Sequence, residues 1–247
     1  MEIITEVCAG SVLDCIKAYD AKADRIELNN ALHLGGLTPS IATLKLAKEA
    51  VPIPIIPMVR PRPGGFHYDD IEVSTMFLDA KELLEAGADG LAFGFLDAGV
   101  KVDIDQTKKM VELCHSYQAE AVFHRAFDVV KDSYQATESL IECGVDRILT
   151  SGCADKAIEG IDLLKDLQDK YGDRIELLIG SGLNASNVEH LIKSTGINQV
   201  HSSFKGWFQD PSTQSDKVSY SYSTVGDYDG VDLDLLKSFM NVIEKVF

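Results

Sequence analysis

The sequence predicts a (β/α)8 barrel, also called a TIM barrel, formed as one domain over residues 1–247. Three observations support this: a length of 247 residues, eight short apolar segments alternating with helical ones, and a recurring helix-to-strand junction. Barrels of this class commonly reach about 250 residues as a single domain. No G-x-G-x-x-G motif follows the first strand segment, which disfavours an open dinucleotide-binding sheet.

The junction recurs where a helical pattern ends and a strand begins. A small apolar residue and then Asp or Asn lead into the strand, often after a glycine suited to a helix end. The copies lie at residues 21–27, 86–92, 143–149 and, more loosely, 195–201. Short helix-to-strand loops of this kind indicate repeated βα units.

The strand segments are rich in Ile, Val, Leu and Phe, as parallel strands buried on both faces must be. They are predicted at residues 2–7, 24–28, 53–59, 89–94, 120–124, 146–150, 174–179 and 198–201. Apolar residues spaced by three and four indicate the helices between them, and the same spacing predicts a last helix at 232–246.

The composition excludes several classes of partner. Asp and Glu number 39 against 23 Lys and Arg, and the formal charge of −16 disfavours nucleic acid and anionic membranes. No apolar run approaches the roughly 18 residues of a membrane span, and the first residues lack a signal-peptide pattern. Five cysteines without a C-x-x-C pair indicate reduced thiols, and hence a cytoplasmic protein.

Chemistry in such barrels lies at the carboxyl ends of the strands. Strand parity and the residues that close the strands predict one catalytic or ligand site there, made of Glu6, Glu27, Arg60, His124 and His201. Their mixture of acids, bases and an arginine favours a ligand site. The alternative is that Glu6, Glu27 and Arg60 form a buried ion-pair network that only fills the top of the barrel.

The loop after the seventh strand is a candidate anion site. Small residues there would let backbone N–H groups approach a phosphate or carboxylate, with neighbouring loops on either side. The predicted anion-binding residues are Ser151, Gly152, Gly180, Ser181, Gly182 and Ser202. Tight-turn geometry explains the Gly-Ser-Gly sequence equally well.

Residues 204–231 form a long connection after the eighth strand, where roughly 2–6 residues is common. The segment is rich in aromatic residues, including Trp207 and Phe208, which disordered linkers generally lack. We expect it to fold over the barrel mouth, with Trp207 and Phe208 near His201 and near the candidate anion loop at residues 180–182. The alternative is that its aromatic residues form a subunit interface.

The sequence resembles the CutC copper-homeostasis family over nearly its whole length. Seven segments carry the resemblance, in order: Glu6–Cys8, Ala23–Leu28, Gly35–Ser40, Arg60–Arg62, Phe123–Asp128, Leu149–Gly152 and Val200–Ser203. The resemblance implies a cytosolic TIM-like barrel linked to copper handling that self-associates as a homo-oligomer.

The resemblance also implies Cu(I) as the ligand, held by two cysteines that close strands one and two. Cys8 matches the first of these, whereas Asn29 occupies the second position. Cu(I) prefers thiolate or thioether ligands, so the amide predicts weak Cu(I) binding unless Met58 or Cys153 completes the site.

Three functions are therefore compared. The first is a copper-homeostasis protein with Cys8 as the metal ligand. The second is an enzyme that acts on a small anionic or sugar-like substrate by carboxylate and histidine chemistry, with or without a divalent metal. The absence of a lysine at any strand end disfavours a Schiff-base mechanism. The third is a non-catalytic binding scaffold, and the fold alone does not choose among them.

Overall fold

The computed structural model describes residues 2–247 and confirms the predicted TIM barrel. Eight parallel strands form one sheet, in the order β3-β2-β1-β8-β7-β6-β5-β4. A parallel bridge between Met58 and Ala92 joins β3 to β4 and closes the barrel. The strands are β1 Ile4–Ala9, β2 Arg25–Leu28, β3 Ile55–Pro57, β4 Gly90–Phe93, β5 Glu120–Phe123, β6 Arg147–Thr150, β7 Glu176–Ile179 and β8 Gln199–Ser202.

Eight α-helices alternate with the strands. One helix follows each of β1 to β7, and α8 lies near the end of the chain. They are α1 Val12–Asp20, α2 Ile41–Ala50, α3 Asp70–Glu85, α4 Ile104–Ser116, α5 Ser133–Cys143, α6 Ile161–Tyr171, α7 Val188–Thr195 and α8 Leu233–Val246. Asp232 caps α8 by accepting hydrogen bonds from two backbone N–H groups of its first turn. Within residues 2–247, no helix has the length and apolar character needed to cross a membrane.

Two apolar regions hold the fold together. The larger one lies between the strands and the surrounding helices and contains most of the buried residues. The smaller one is made of Ile56, Met58, Ala92 and Val122, which come from neighbouring strands. On the other side of the barrel, buried charged residues of β1, β2, β6 and β8 take the place of this apolar filling.

The acidic residue of the repeated junction binds the neighbouring strand. The side chains of Asp24, Asp89 and Asp146 each accept a hydrogen bond of 2.7 Å from the backbone N–H of Thr5, Ile55 and Ala121, respectively. The backbone N–H of each Asp donates in turn to the carbonyl of the same partner, at 3.0 Å. The junction is repeated because each copy satisfies a backbone donor at the start of the preceding strand.

The segment predicted as a long loop, 204–231, begins and ends with strands. Here β9 Lys205–Phe208 pairs in antiparallel fashion with β10 Tyr228–Val231. The ring of Phe208 stacks on that of Tyr228, with 5.6 Å between the centroids. The ammonium of Lys17, on α1, lies 4.7 Å from the centroid of the Phe208 ring. Lys17 also donates to the carbonyl of Val231, so the segment is attached to α1.

The junction contacts predict the effect of Asp89→Ala on stability. The substitution removes the acceptor of the Ile55 N–H, and Ile55 is fully buried. Leaving a buried donor unsatisfied costs about 1–3 kcal/mol, and we expect a decrease of that size in the free energy of unfolding. Urea denaturation measures it. Asp89→Asn, which keeps an acceptor oxygen, should lose less unfolding free energy. Asp216→Ala, at an exposed position, should leave it unchanged. Equal losses for all three variants would contradict the role assigned to the Asp89 side chain.

Candidate functional site

A cavity of about 120 Å³ lies at the mouth of the barrel. It has room for about four water molecules at the volume each occupies in the liquid. Strand ends and the loops after β2 and β3 form its walls, and the residues that line it are Cys8, Glu27, Asn29, Gly35, Met58, Arg60, Phe66, His124, Arg125, Leu149 and His201.

The buried Glu6 carboxylate lies directly behind this cavity. The strand register places Glu6 opposite Arg25 on β2 and opposite His201 on β8. One carboxylate oxygen accepts from Arg25 Nε at 2.5 Å, and the other lies 2.7 Å from His201 Nδ1. Burial opposes the charge of Glu6, but Arg25 and His201 outweigh it and lower its pKa to about 2.

The ion pair continues as a chain of hydrogen bonds inside the barrel. Arg25 donates to the side chain of Gln199 at 2.9 Å, and Gln199 donates to Glu176 at 2.8 Å. Arg147 donates to Glu176 and to Glu120, at 2.9 Å each. Arg147 is 1% exposed, so these two carboxylates supply the counter-charge that its burial requires.

Three polar side chains meet on the β1–β2 side of the cavity. Asn29 Nδ2 donates to Glu27 Oε1 at 2.8 Å and to Cys8 Sγ at 3.4 Å, and the Cys8 thiol lies 3.6 Å from the same Glu27 oxygen. All three residues are buried. Burial, together with the charges of Glu27 and Glu6, raises the pKa of the Cys8 thiol. Burial and Glu6 also raise the pKa of the Glu27 carboxyl, although His201 opposes this.

Cys8, Glu27 and His201 form a potential metal site. Each residue offers one ligand atom, and these atoms lie within 4.8 Å of one another. Glu6 orients the His201 ring through Nδ1, as carboxylates commonly do for metal-binding histidines. Burial opposes a charge on His201, but Glu27 and Glu6 outweigh it and raise the pKa of the imidazole.

Arg60, in the loop after β3, lines another part of the cavity wall. Its guanidinium donates to the carbonyls of Gly35, Gly36 and Gly64, and it lies 5.0 Å from the Phe66 ring. None of the ion pairs found in residues 2–247 includes Arg60. Because Arg60 is only 6% exposed, it is a buried cation held by neutral groups.

His124 lies beside Arg60 as a neutral imidazole. Burial and the charge of Arg60 lower the pKa of His124 to about 3. Its Nδ1 accepts from the backbone N–H of Ala126 at 3.1 Å, so the ring hydrogen is on Nε2. This Nε2–H is buried and has no acceptor among the described residues.

The structure brings the five predicted site residues to one end of the barrel. Glu27, Arg60, His124 and His201 line the cavity, and Glu6 contacts it through His201. The alternative, a buried ion-pair network of Glu6, Glu27 and Arg60, does not match the contacts. Glu6 pairs with Arg25 and His201, and neither Glu27 nor Arg60 takes part in an ion pair within residues 2–247. The catalytic role of the five residues stays a prediction.

The predicted anion-binding residues lie in two environments. Ser151 donates its N–H and its hydroxyl to Asp128, and the Gly152 N–H donates to Thr150, so these donors already have acceptors. Gly182 and Ser202 line a separate surface groove of about 510 Å³ that also contains Lys156 and Lys205. Gly180 and Ser181 connect β7 to this groove, and anion binding there stays a prediction.

The expectation that Trp207 and Phe208 cover the cavity beside His201 was wrong, because no residue of 204–231 is among the described residues that line it. The Phe208 ring stacks on Tyr228, and the Lys17 ammonium lies 4.7 Å from the centroid of the Phe208 ring. Phe66, in the loop between β3 and α3, covers the cavity instead. Its ring centroid lies 5.0 Å from that of His124.

Two further residues were considered as metal ligands. Met58 lines the cavity, but Cys153 does not; its thiol contacts the carbonyl of Phe127 at 3.7 Å. Burial raises the pKa of Cys153 to about 11, and all five cysteines are free.

Sequence reasoning missed Arg25, Gln199 and Arg147. Parity contained the signal for two of them: Arg25 precedes Glu27 by two residues and Gln199 precedes His201 by two, so each pair shares a strand face. The Asp-Arg-Ile repeat was interpreted only as a junction, although both of its arginines are buried inside the barrel.

The state of His124 predicts a pH dependence of stability. Between about pH 6.5 and pH 3 the unfolded chain binds a proton at His124 that the folded protein excludes, so stability falls as the pH decreases. From pH 7 to pH 5 we expect wild type to lose about 2 kcal/mol more unfolding free energy than His124→Asn. Urea denaturation at the two pH values measures this, with the exposed His190→Asn as the control. Equal losses in wild type and His124→Asn would contradict a neutral His124.

Comparisons with known proteins confirm the predicted family. The chain matches the CutC family over residues 3–206. A CutC family protein of Treponema denticola is 40% identical over 242 residues, 98% of each chain. A copper homeostasis protein cutC homolog of Mus musculus is 40% identical over 200 residues, 81% of this chain and 73% of that protein. The crystal structure of a copper homeostasis protein CutC of Streptococcus agalactiae has a TM-score of 0.77 at 31% identity, covering 81% of this chain and 98% of that one. The chain belongs to the CutC family.

Proposed function

We propose that this protein contributes to copper homeostasis in the cytoplasm by binding one copper ion at the barrel mouth. The ligands are Cys8, Glu27 and His201, and the observation that carries the proposal is the convergence of their ligand atoms within 4.8 Å. The names of the relatives, which refer to copper homeostasis, support the choice of metal. Following the family resemblance, we also expect the protein to self-associate.

The donor set predicts weak binding of Cu(I). Cu(I) prefers sulfur ligands, and only Cys8 in this cluster provides one. Asn29 does not substitute for a second thiolate, because the ligand atom it offers is a hard amide oxygen, while its amide nitrogen donates hydrogen bonds to Cys8 and Glu27. Imidazole and carboxylate ligands, in contrast, suit divalent ions. We therefore expect copper to bind reversibly, as a cargo that is easily released.

The geometry at Asn29 allows a gain-of-function test. Its side-chain nitrogen lies 3.4 Å from Cys8 Sγ, so Asn29→Cys would place a second thiol next to the first. We expect this variant to bind Cu(I) about 100-fold more tightly than wild type, a change of about 2.8 kcal/mol. Competition with a chromophoric Cu(I) chelator under reducing conditions measures the affinity.

Five further variants control this experiment. Asn29→Ser removes the amide without adding a thiol, and it should not show the gain. Cys8→Ser in the Asn29→Cys background should remove the gain. In otherwise wild-type protein, Cys8→Ser should abolish the weak binding; binding that persists in Cys8→Ser, Glu27→Gln and His201→Asn would show that copper binds elsewhere. Tight binding by wild type would contradict the role assigned to Asn29.

A further inference from the structure

The mouth cavity has two chemically different sides. Cys8, Glu27 and His201 form one side, with the Glu6 carboxylate behind them. Arg60 and His124 form the other side, together with Phe66. The first side attracts cations. A cation bound there would not neutralise the positive charge of Arg60, so the second side would still lack a partner.

The second side contains two buried donors that lack acceptors. They are Arg60 Nε and His124 Nε2, and neither has a hydrogen-bond partner among the described residues. An unsatisfied buried donor costs about 1–3 kcal/mol, and more when the group is charged. The guanidinium donates to the carbonyls of Gly35, Gly36 and Gly64, and the Tyr68 hydroxyl also lies close to it, but none of these groups carries a negative charge.

From this arrangement we propose that the cavity binds a small carboxylate, with its charged group against Arg60 and His124. A guanidinium next to a neutral N–H donor is a suitable environment for an anion. This site uses other residues of the same cavity than the proposed metal ligands, and its argument does not depend on copper. It gives a ligand class to the second function considered from the sequence, an enzyme or binding protein for a small anion.

Charge and size favour a carboxylate over a phosphate. Arg60 supplies one uncompensated positive charge, whereas the neighbouring Arg125 is already paired with Asp128 at 2.7 Å. A phosphate that carries nearly two negative charges would therefore lack a second cation and would share the cavity with Glu27. The volume of about 120 Å³ and the apolar side chains of Met58, Phe66 and Leu149 suit a short carbon chain attached to the charged group.

The test uses protein freed of metal with a chelator, so that its result does not depend on the copper proposal. Pyruvate is the probe, pyruvamide is the uncharged probe of matched size, and inorganic phosphate is the competing anion. Calorimetry gives the affinities, and NMR of the histidine side chains reports on the ring of His124. We expect saturable pyruvate binding that shifts the His124 signals, with pyruvamide and phosphate at least tenfold weaker.

Variants at two arginines of the same loop test the position of the anion. Arg60→Gln should weaken pyruvate binding at least tenfold, and Arg60→Lys, which keeps the charge, should retain part of it. Arg62→Gln is the matched control, because Arg62 pairs with Glu72 and does not line the cavity. Circular dichroism verifies that each variant is folded, and the wild-type comparison of pyruvate with pyruvamide does not depend on the variants.

Three results would overturn the proposal. Equal affinity for pyruvate and pyruvamide would show that charge is not recognised. Tighter binding of phosphate would assign the site to a different anion. An equal loss in Arg60→Gln and Arg62→Gln would place the anion outside the cavity.

Discussion

The fold of this protein has to accommodate a charged carboxylate inside its barrel. Glu6 is 2% exposed, and a lone carboxylate in such surroundings would cost several kcal/mol. Arg25 and His201 offset this cost from the two neighbouring strands, which requires β1, β2 and β8 to pair in the observed register. A shift by one residue would turn Glu6 toward the surrounding helices.

The same constraint determines the chemistry of the mouth. Because Glu6 binds His201 through Nδ1, the ring has a fixed orientation relative to Cys8 and Glu27. Because Arg25 donates its hydrogen bonds to Glu6 and Gln199, it does not neutralise the charge of Glu27. Glu27 thus remains free to be a ligand or a proton carrier, and the cationic side of the cavity depends on Arg60 alone.

The alternating strand and helix segments and the repeated junction were sufficient to predict the fold, and strand parity with the barrel rule predicted that Glu6, Glu27, Arg60, His124 and His201 lie at one end of the barrel. Both predictions depend on backbone geometry, which determines the spacing of apolar residues in helices and the face on which each strand residue lies. The partners of the buried charges were harder to predict, because the pairing of Arg25 with Glu6 depends on register between strands. The cover of the cavity was predicted wrongly: the aromatic content of 204–231 indicated that it packs, but not on which surface, and Phe66 in a shorter loop has that role.

The pairing of β9 with β10 holds together the two ends of the long connection that follows β8. The backbone N–H of Asp227 donates to the carbonyl of Phe208 at 2.7 Å, and that of Asp210 donates to the Asp227 side chain at the same distance. The two ends of residues 209–226 are therefore held together whatever lies between them. Since the entropy of closing a loop grows slowly with its length, this part of the chain can lengthen, shorten or accept a foreign peptide at little expense to the barrel. It is a natural place to attach a label or a tether, provided that Tyr222, whose ring lies 4.9 Å from that of His33 in the loop after β2, is kept.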